Sequence, residues 1–267
     1  MQPPKLLVIT REYLKPGKMG STHEKAEGAF VRAFERAKWP THYLAMDSLS
    51  GKSRSLFLTG YDSFAGWEKD ALAVQKDAQL SAALEHAAAA DADLLDSTDG
   101  HALLYRDEYS LRPGVDLPHM RYFEISLYHV KPGHEKDWDE IVKMVKEAYE
   151  KAVPDVHWAT YESLYGGPSG TYVVINPIKS GAEIDKDLAS DKDFESAMGE
   201  DGMKRLGELS AAAIDSSESN LFVLNPRMSY VGEDWIKADD FWKPKPMGMP
   251  GVMKKKPAEK EKAPAAQ

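Results

Sequence analysis

The chain repeats itself, and this repeat is the feature that most limits how it can fold. A Lys-Pro-Gly turn follows an apolar run at Lys15 and again, about 116 residues later, at Lys131. The pairs His42-Tyr43 and His157-Trp158 keep nearly the same separation. Small changes of spacing between such matches, with their order preserved, are typical of duplication followed by insertions in loops. The sequence therefore predicts two similar units in tandem.

Each half also shows the same order of hydrophobic periodicities. A strand pattern, Leu6–Leu14 in the first half and Tyr122–Val130 in the second, ends at the Pro-Gly turn. An amphipathic helix follows, then two strands, a helical stretch and a last strand. These other predicted strands are 41–49, 53–61 and 102–110 in the first half, and 157–164, 171–176 and 220–229 in the second. The fold class is α+β, with two tandem ferredoxin-like βαββαβ units.

The domain boundaries follow from this pattern. We predict a first ferredoxin-like unit, a linker, a second unit and a C-terminal extension at 5–111, 112–120, 121–230 and 231–267. The extension begins with Trp235, Phe241 and Trp242, which are too apolar for a free tail, so we expect them to dock on the barrel or on a neighbouring chain. About the last 20 residues are rich in Lys, Pro and Ala, and we expect them to be disordered or draped on a surface.

Composition excludes several classes of function. With 34 basic and 43 acidic side chains the formal charge is -9, which disfavours nucleic acid and anionic lipid as partners. No segment approaches the about 20 apolar residues that a membrane span needs. The absence of cysteine excludes disulfides, thiolate catalysis, iron–sulfur clusters and cysteine-ligated zinc. The compartment stays open, since such a chain suits the cytoplasm as well as export followed by removal of a signal peptide.

The element order and the Lys-Pro-Gly turn resemble those of the dimeric α+β barrel superfamily. This superfamily includes NIPSNAP proteins, antibiotic-biosynthesis-monooxygenase-like proteins and the tandem haem enzymes of the chlorite dismutase type. The resemblance covers residues 5–230 and implies that both units face each other within one chain to close a barrel, which also shelters strand edges. It would also imply haem held by a helix histidine. The helical stretch 180–215 has none, and its counterpart in the first half offers only His86, so we expect no haem and no other cofactor.

Several histidines are candidate metal ligands. His42 and His157 lie at the start of equivalent strands, but neither has a second histidine four residues away, so we expect hydrogen-bonded histidines and no metal site. His23 and His134 each precede a glutamate at the start of a helix. An acid there is favoured by the helix dipole whatever the protein does.

Two carboxylates, Asp47 and Glu162, are the candidate catalytic residues. Strand alternation places Asp47 on the face of Tyr43, and Glu162 on the face of Trp158. If these faces line the barrel, both acids would be desolvated and could act as a general base or anchor a ligand. If they lie toward strand ends, both would reach water. The predicted ligand pocket consists of aromatic and imidazole side chains near these acids: His42, Tyr43, His157, Trp158 and Tyr161.

Two functions are compatible with these features. The first is a barrel without an evident catalytic motif that binds a small hydrophobic or aromatic ligand, or forms a homo-oligomer through its C-terminal extension. The second is a cofactor-independent monooxygenase or isomerase acting on a small aromatic or polyketide-like substrate, with Asp47 or Glu162 as the base. Nucleotide hydrolysis and serine hydrolase chemistry are unsupported, because the Walker, G-x-G-x-x-G and G-x-S-x-G motifs are absent.

Overall fold

Eight antiparallel strands close into one barrel, and helices cover its outer surface. The structure, a computed structural model, describes residues 1–243. The strands are β1 (Leu6–Leu14), β2 (Tyr43–Ser48), β3 (Arg54–Tyr61), β4 (Leu95–Leu111), β5 (Tyr122–Val130), β6 (Trp158–Tyr165), β7 (Thr171–Ile178) and β8 (Ile214–Leu224). The helices are α1 (Ser21–Ala37), α2 (Phe64–Lys76), α3 (Ala78–Ala92), α4 (Glu135–Ala152), α5 (Gly181–Ala189), α6 (Asp191–Ala213) and α7 (Glu233–Ala238). Single 3-10 turns cover Leu117–His119 and Asp240–Trp242.

The strand order around the barrel is β1-β3-β2-β8-β5-β7-β6-β4, and every neighbouring pair is antiparallel. The first four strands of the chain meet the last four at two seams, where β2 pairs with β8 and β4 pairs with β6. Because the sheet closes on itself, no strand edge is left unpaired along the barrel. The predicted α+β class and the closed barrel are confirmed.

The two halves share their strand registers as well as their element order. Glu12 of β1 pairs with Ser55 of β3, and Tyr128 of β5 pairs with Tyr172 of β7. Pairing of β1 with β4 shifts register after Tyr13, and pairing of β5 with β8 shifts at the matching place, after His129. The outer face of the sheet can therefore be compared position by position between the halves.

The predicted last strand of each half had the wrong bounds. The strand predicted at 102–110 begins earlier, at Leu95, and the strand predicted at 220–229 is β8, which starts at Ile214 and ends at Leu224. The added residues are mostly exposed and polar, so they show no hydrophobic alternation. They are strands because their backbones pair with the ends of β1 and β5. After β8 the chain turns, and a single bridge joins Tyr230 to Tyr43.

The helical stretch of each half is also divided into two helices. Asp77 ends α2 and caps α3 by accepting hydrogen bonds from the backbone amides of Gln79 and Leu80. Ser190 separates α5 from α6 in the second half. Among residues 1–243, no helix is both long enough and apolar enough to span a bilayer.

The interior of the barrel holds the main hydrophobic core. On β2 the side chains of Leu44 and Met46 join this core, and on β6 those of Ala159 and Tyr161 do so. Tyr43, Asp47, Trp158 and Glu162 alternate with these residues, so they belong to the outer face of the sheet. The helices pack on that outer face, with α1 against α3 and α4 against α6.

The aromatic start of the C-terminal extension docks on the barrel of its own chain. Trp242 is 3% exposed, and its indole nitrogen donates a hydrogen bond to the carbonyl oxygen of Pro118 at 2.8 Å. Its ring meets that of Trp235 edge to face at 5.1 Å. The Arg121 guanidinium lies 4.3 Å from the centre of the Phe241 ring and forms an ion pair with Asp239. The predicted Lys/Pro/Ala-rich tail lies outside the described residues.

Candidate functional site

A cavity of about 1070 Å³ occupies the end of the barrel where β1, β2, β5 and β6 begin. Its inner wall is apolar, because the inward-facing positions of the strands carry aliphatic and aromatic side chains. Leu7, Leu44, Leu58, Phe123 and Ile175 contribute to this wall. Trp235 of α7 lines the mouth, so the C-terminal extension covers part of the opening.

All five side chains of the predicted ligand pocket line this cavity: His42, Tyr43, His157, Trp158 and Tyr161. His42 is exposed, and its ring stacks on that of Tyr230 at 4.9 Å. His157 has its two ring nitrogens 3.0 Å and 2.8 Å from the carbonyl oxygens of Asp155 and Pro177. These contacts fix the turn before β6 and the end of β7 at the rim.

Tyr161 supplies a polar group deep in the apolar wall. Its side chain is 2% exposed, and burial raises the pKa of its phenol well above the usual range. The ring of Tyr105 packs against it edge to face at 5.6 Å. Among the described residues its hydroxyl has no hydrogen-bond partner. The neutral hydroxyl can therefore donate to a bound molecule.

Asp47 and Glu162 lie outside this cavity. The hypothesis that their strand faces line the barrel is wrong, since Leu44, Met46, Ala159 and Tyr161 face inward instead. Glu162 forms an ion pair with Arg106 of β4. Asp47 accepts hydrogen bonds from Ser55 Oγ at 2.5 Å and from the side-chain amide of Asn225 at 2.8 Å.

A second site lies on the outer face of the sheet, beneath α1. Glu12 of β1, His23 and Glu27 of α1, and Asp91 of α3 each place one nitrogen or oxygen atom within 4.8 Å of the others. His23 Nε2 lies 3.0 Å from a carboxylate oxygen of Glu12 and 3.6 Å from one of Asp91. We call these four residues the acidic cluster. Ser55 Oγ, held by Asp47, lies 3.4 Å from the other ring nitrogen of His23.

The acidic cluster is buried and its charges are poorly compensated. His23, Glu27 and Asp91 are 1%, 3% and 2% exposed. Burial, together with repulsion from Glu12, Asp91 and Asp47, raises the pKa of Glu27 to about 10. Burial and repulsion from Glu12 raise the pKa of Asp91 to about 6, against the opposing effect of His23. One oxygen of Glu27 and one of Asp91 have no hydrogen-bond partner.

The same place in the second half is filled by aromatic rings. Tyr128 and Tyr172 occupy the register positions that Glu12 and Ser55 occupy in the first half. Trp138 of α4 stacks on Tyr172 at 4.7 Å and approaches Tyr128 at 5.4 Å. In the second half, the space between helix and sheet is therefore closed without charged groups.

One local pattern in the sequence indicates part of this cluster. His23 and Glu27 are four residues apart on one helix, a spacing that places both side chains on one face. The expectation that His23 is an ordinary residue at a helix start missed this spacing. Glu12 and Asp91 come from distant elements, so only the pairing of the sheet and the packing of α3 on α1 bring them near.

Comparison with known proteins finds similarity of structure only. No protein-family model matches the sequence, and no curated protein is significantly similar to it. A proposed monooxygenase from Fusobacterium nucleatum subsp. nucleatum superposes with a TM-score of 0.53 at 11% identity, covering 84% of this chain and 94% of that one. An anthrone oxidase-like protein gives 0.50 at 12% identity, with coverages of 83% and 92%.

The fold is that of the dimeric α+β barrels. At such low identity the likeness shows the fold alone. A haem group held as the sequence analysis considered would need a helix histidine. The second-half helices α5 and α6 contain no histidine, and His86 of α3 is exposed. The expectation that the chain binds no haem stays a prediction.

Proposed function

We propose that the chain binds a small, neutral, hydrophobic or aromatic molecule in the cavity at the end of its barrel. The observation that carries this proposal is the apolar cavity of about 1070 Å³, a size at the upper end of those that hold small organic ligands. Asp62 and Asp234 also line it, and the chain carries a net charge of -9, so an anionic ligand is disfavoured.

The hydroxyl of Tyr161 narrows the class of ligand. A molecule that fills the cavity covers this hydroxyl, and a buried donor without an acceptor costs about 1–3 kcal/mol. A ligand with a carbonyl, ether or hydroxyl oxygen accepts the hydrogen bond and avoids this cost. We therefore favour an aromatic or polyketide-like molecule that carries at least one oxygen.

We also infer that the two halves are tandem ferredoxin-like units, 5–111 and 121–230, joined by the linker 112–120. Their shared element order, strand registers and register shifts support this inference. The homo-oligomer predicted through the extension 231–267 stays a prediction. Trp242, near the start of this extension, packs against the barrel of its own chain.

The alternative function, a cofactor-independent monooxygenase or isomerase, has less support in this geometry. Its predicted bases, Asp47 and Glu162, do not line the cavity. A molecule bound there would not meet either carboxylate. Ligand binding is therefore the function that we propose.

Binding of Prodan, a neutral fluorescent naphthyl ketone, tests this proposal. Ala159 lines the cavity on β6, so Ala159→Phe fills part of it and is expected to weaken Prodan binding at least about 10-fold. Tyr161→Phe removes the donor and is expected to weaken it by about 5–10-fold. A fluorescence titration measures both effects.

Leu164→Phe is the matched control, because Leu164 lies on the same strand, is exposed and does not line the cavity. Its Prodan affinity should equal that of the unchanged protein. Equal affinities in Ala159→Phe and Leu164→Phe, or no Prodan binding at all by the unchanged protein, would contradict the proposed site.

A further inference from the structure

We infer that Glu12, His23, Glu27 and Asp91 form a binding site for one divalent transition-metal ion, with Mn²⁺, Fe²⁺ and Zn²⁺ as the fitting class. This site is separate from the barrel cavity and does not depend on the proposed function. It departs from the expectation that the chain binds no metal, which was based on His42 and His157.

The spacing of the four groups suits a single ion. Two ligand atoms that are each about 2.1 Å from one ion lie about 3–4.2 Å apart, depending on the angle between them. The distances from His23 Nε2 to Glu12 and Asp91 are 3.0 Å and 3.6 Å, and all four ligand atoms fall within 4.8 Å of one another. A small inward movement would complete the coordination.

The unpartnered oxygens point independently to a missing ligand. Glu27 is 3% exposed and Asp91 is 2% exposed, yet each has a buried oxygen without a hydrogen bond. Among residues 1–243 no lysine or arginine pairs with Glu12, Glu27 or Asp91. The unpartnered oxygen of Asp91 faces His23 Nε2 at 3.6 Å, which is too long for a hydrogen bond. A divalent cation would compensate the three carboxylates and occupy both oxygens.

His23 has the surroundings that are common for a metal-binding histidine. Its Nε2 faces the carboxylates, while its Nδ1 faces Ser55 Oγ at 3.4 Å. Ser55 is in turn held by Asp47 at 2.5 Å. Such an outer pair of hydrogen-bonding groups orients the imidazole ring toward the ion. In this arrangement Asp47 is a positioning residue.

The second half shows that folding does not require these charges. Trp138, Tyr128 and Tyr172 fill the equivalent space as a packed aromatic group. Replacing a buried ionic group by apolar side chains is often neutral or stabilising, so a cluster with a purely structural role has no evident advantage over the aromatic packing. Binding of a metal ion would explain why the first half has buried charged groups at this place.

The ligand types select the class of ion. Imidazole nitrogen favours zinc and iron, and carboxylate oxygen favours manganese and magnesium, so one nitrogen with three carboxylates suits Mn²⁺, Fe²⁺ or Zn²⁺. The side chain of Glu12 is 13% exposed, so an ion could reach the cluster from solvent beside this residue.

The test is a titration of the chelator-treated full-length chain with Mn²⁺, followed by the loss of the electron paramagnetic resonance signal of the aqueous ion. We expect one bound Mn²⁺ per chain, displaced by one equivalent of Zn²⁺. Glu27→Gln keeps the shape of the side chain but cannot lose a proton to become an anionic ligand, and we expect at least about 100-fold weaker binding. Asp47→Asn should weaken binding about 10-fold through the orientation of His23.

His134→Gln is the matched control, because His134 directly precedes α4, the corresponding helix of the second half, and is partly exposed. It should bind Mn²⁺ as the unchanged chain does. Asp91→Asn replaces Glu27→Gln if circular dichroism shows that the latter is unfolded. No tight Mn²⁺ or Zn²⁺ binding by the unchanged chain, or equal binding by the folded cluster variants, would overturn the inference.

Discussion

Replacing Trp242 by alanine is expected to lower the free energy of unfolding by about 3–5 kcal/mol. The side chain is 3% exposed and belongs to the hydrophobic core of the barrel. It also donates a hydrogen bond to Pro118 and supports the ring of Trp235 at the mouth of the cavity. Its removal would leave a void and leave the Pro118 carbonyl without this donor, so the C-terminal extension would lose its main anchor.

Urea denaturation followed by circular dichroism measures this loss. Lys237→Ala is the control, since Lys237 lies on α7 and its ion pair with Glu233 is exposed. It should change the free energy of unfolding by no more than about 0.5 kcal/mol. Equal stability of the two variants would show that the extension is not part of the folded barrel in solution.

Glu27→Met is expected to raise the free energy of unfolding of the metal-free protein by about 1–3 kcal/mol. The carboxyl of Glu27 is buried beside Glu12 and Asp91, and one of its oxygens lacks a hydrogen bond. Methionine has nearly the same length and makes no demand for a charged or hydrogen-bonding partner. The second half, with Trp138 against the sheet, shows that an apolar packing is compatible with this fold.

Chemical denaturation in the presence of a chelator gives this difference. Glu35→Met on the exposed side of the same helix is the control, and we expect a change within about 0.5 kcal/mol. In excess Mn²⁺ the unchanged protein should gain stability by binding, while Glu27→Met should not, so the gap between them should narrow. A destabilised Glu27→Met in the metal-free state would show that the carboxyl contributes to folding.

The repeated sequence pattern was sufficient to predict the order of elements, and the resemblance to the dimeric α+β barrels implied the closed barrel. Which face of each strand meets the barrel interior was not predictable in the same way. On β2 both faces are largely apolar, with Leu44 and Met46 on one and Tyr43 and Ala45 on the other. One face meets the barrel interior and the other meets helices, so alternation alone could not show that Asp47 faces outward.

The arrangement of the pocket and of the acidic cluster was also not predictable from patterns within single segments. Tyr43 and Trp158 line the cavity although they are on the outer face, because they lie at the strand ends that form its rim. The cluster joins residues from β1, α1 and α3. A pattern within one segment reveals only the helical pair His23 and Glu27, and tertiary packing supplies Glu12 and Asp91.

The location of bound Prodan, measured by heteronuclear nuclear magnetic resonance on the isotope-labelled protein, tests the central claim most directly. If the barrel end is the ligand site, the largest shifts of backbone amides should occur at the residues of its wall, such as Leu44, Ala159 and Ile175. The amides of His23 and Glu27, on the opposite side of the sheet, should change little. The largest shifts at those two residues, or small shifts spread evenly over the chain, would contradict the account.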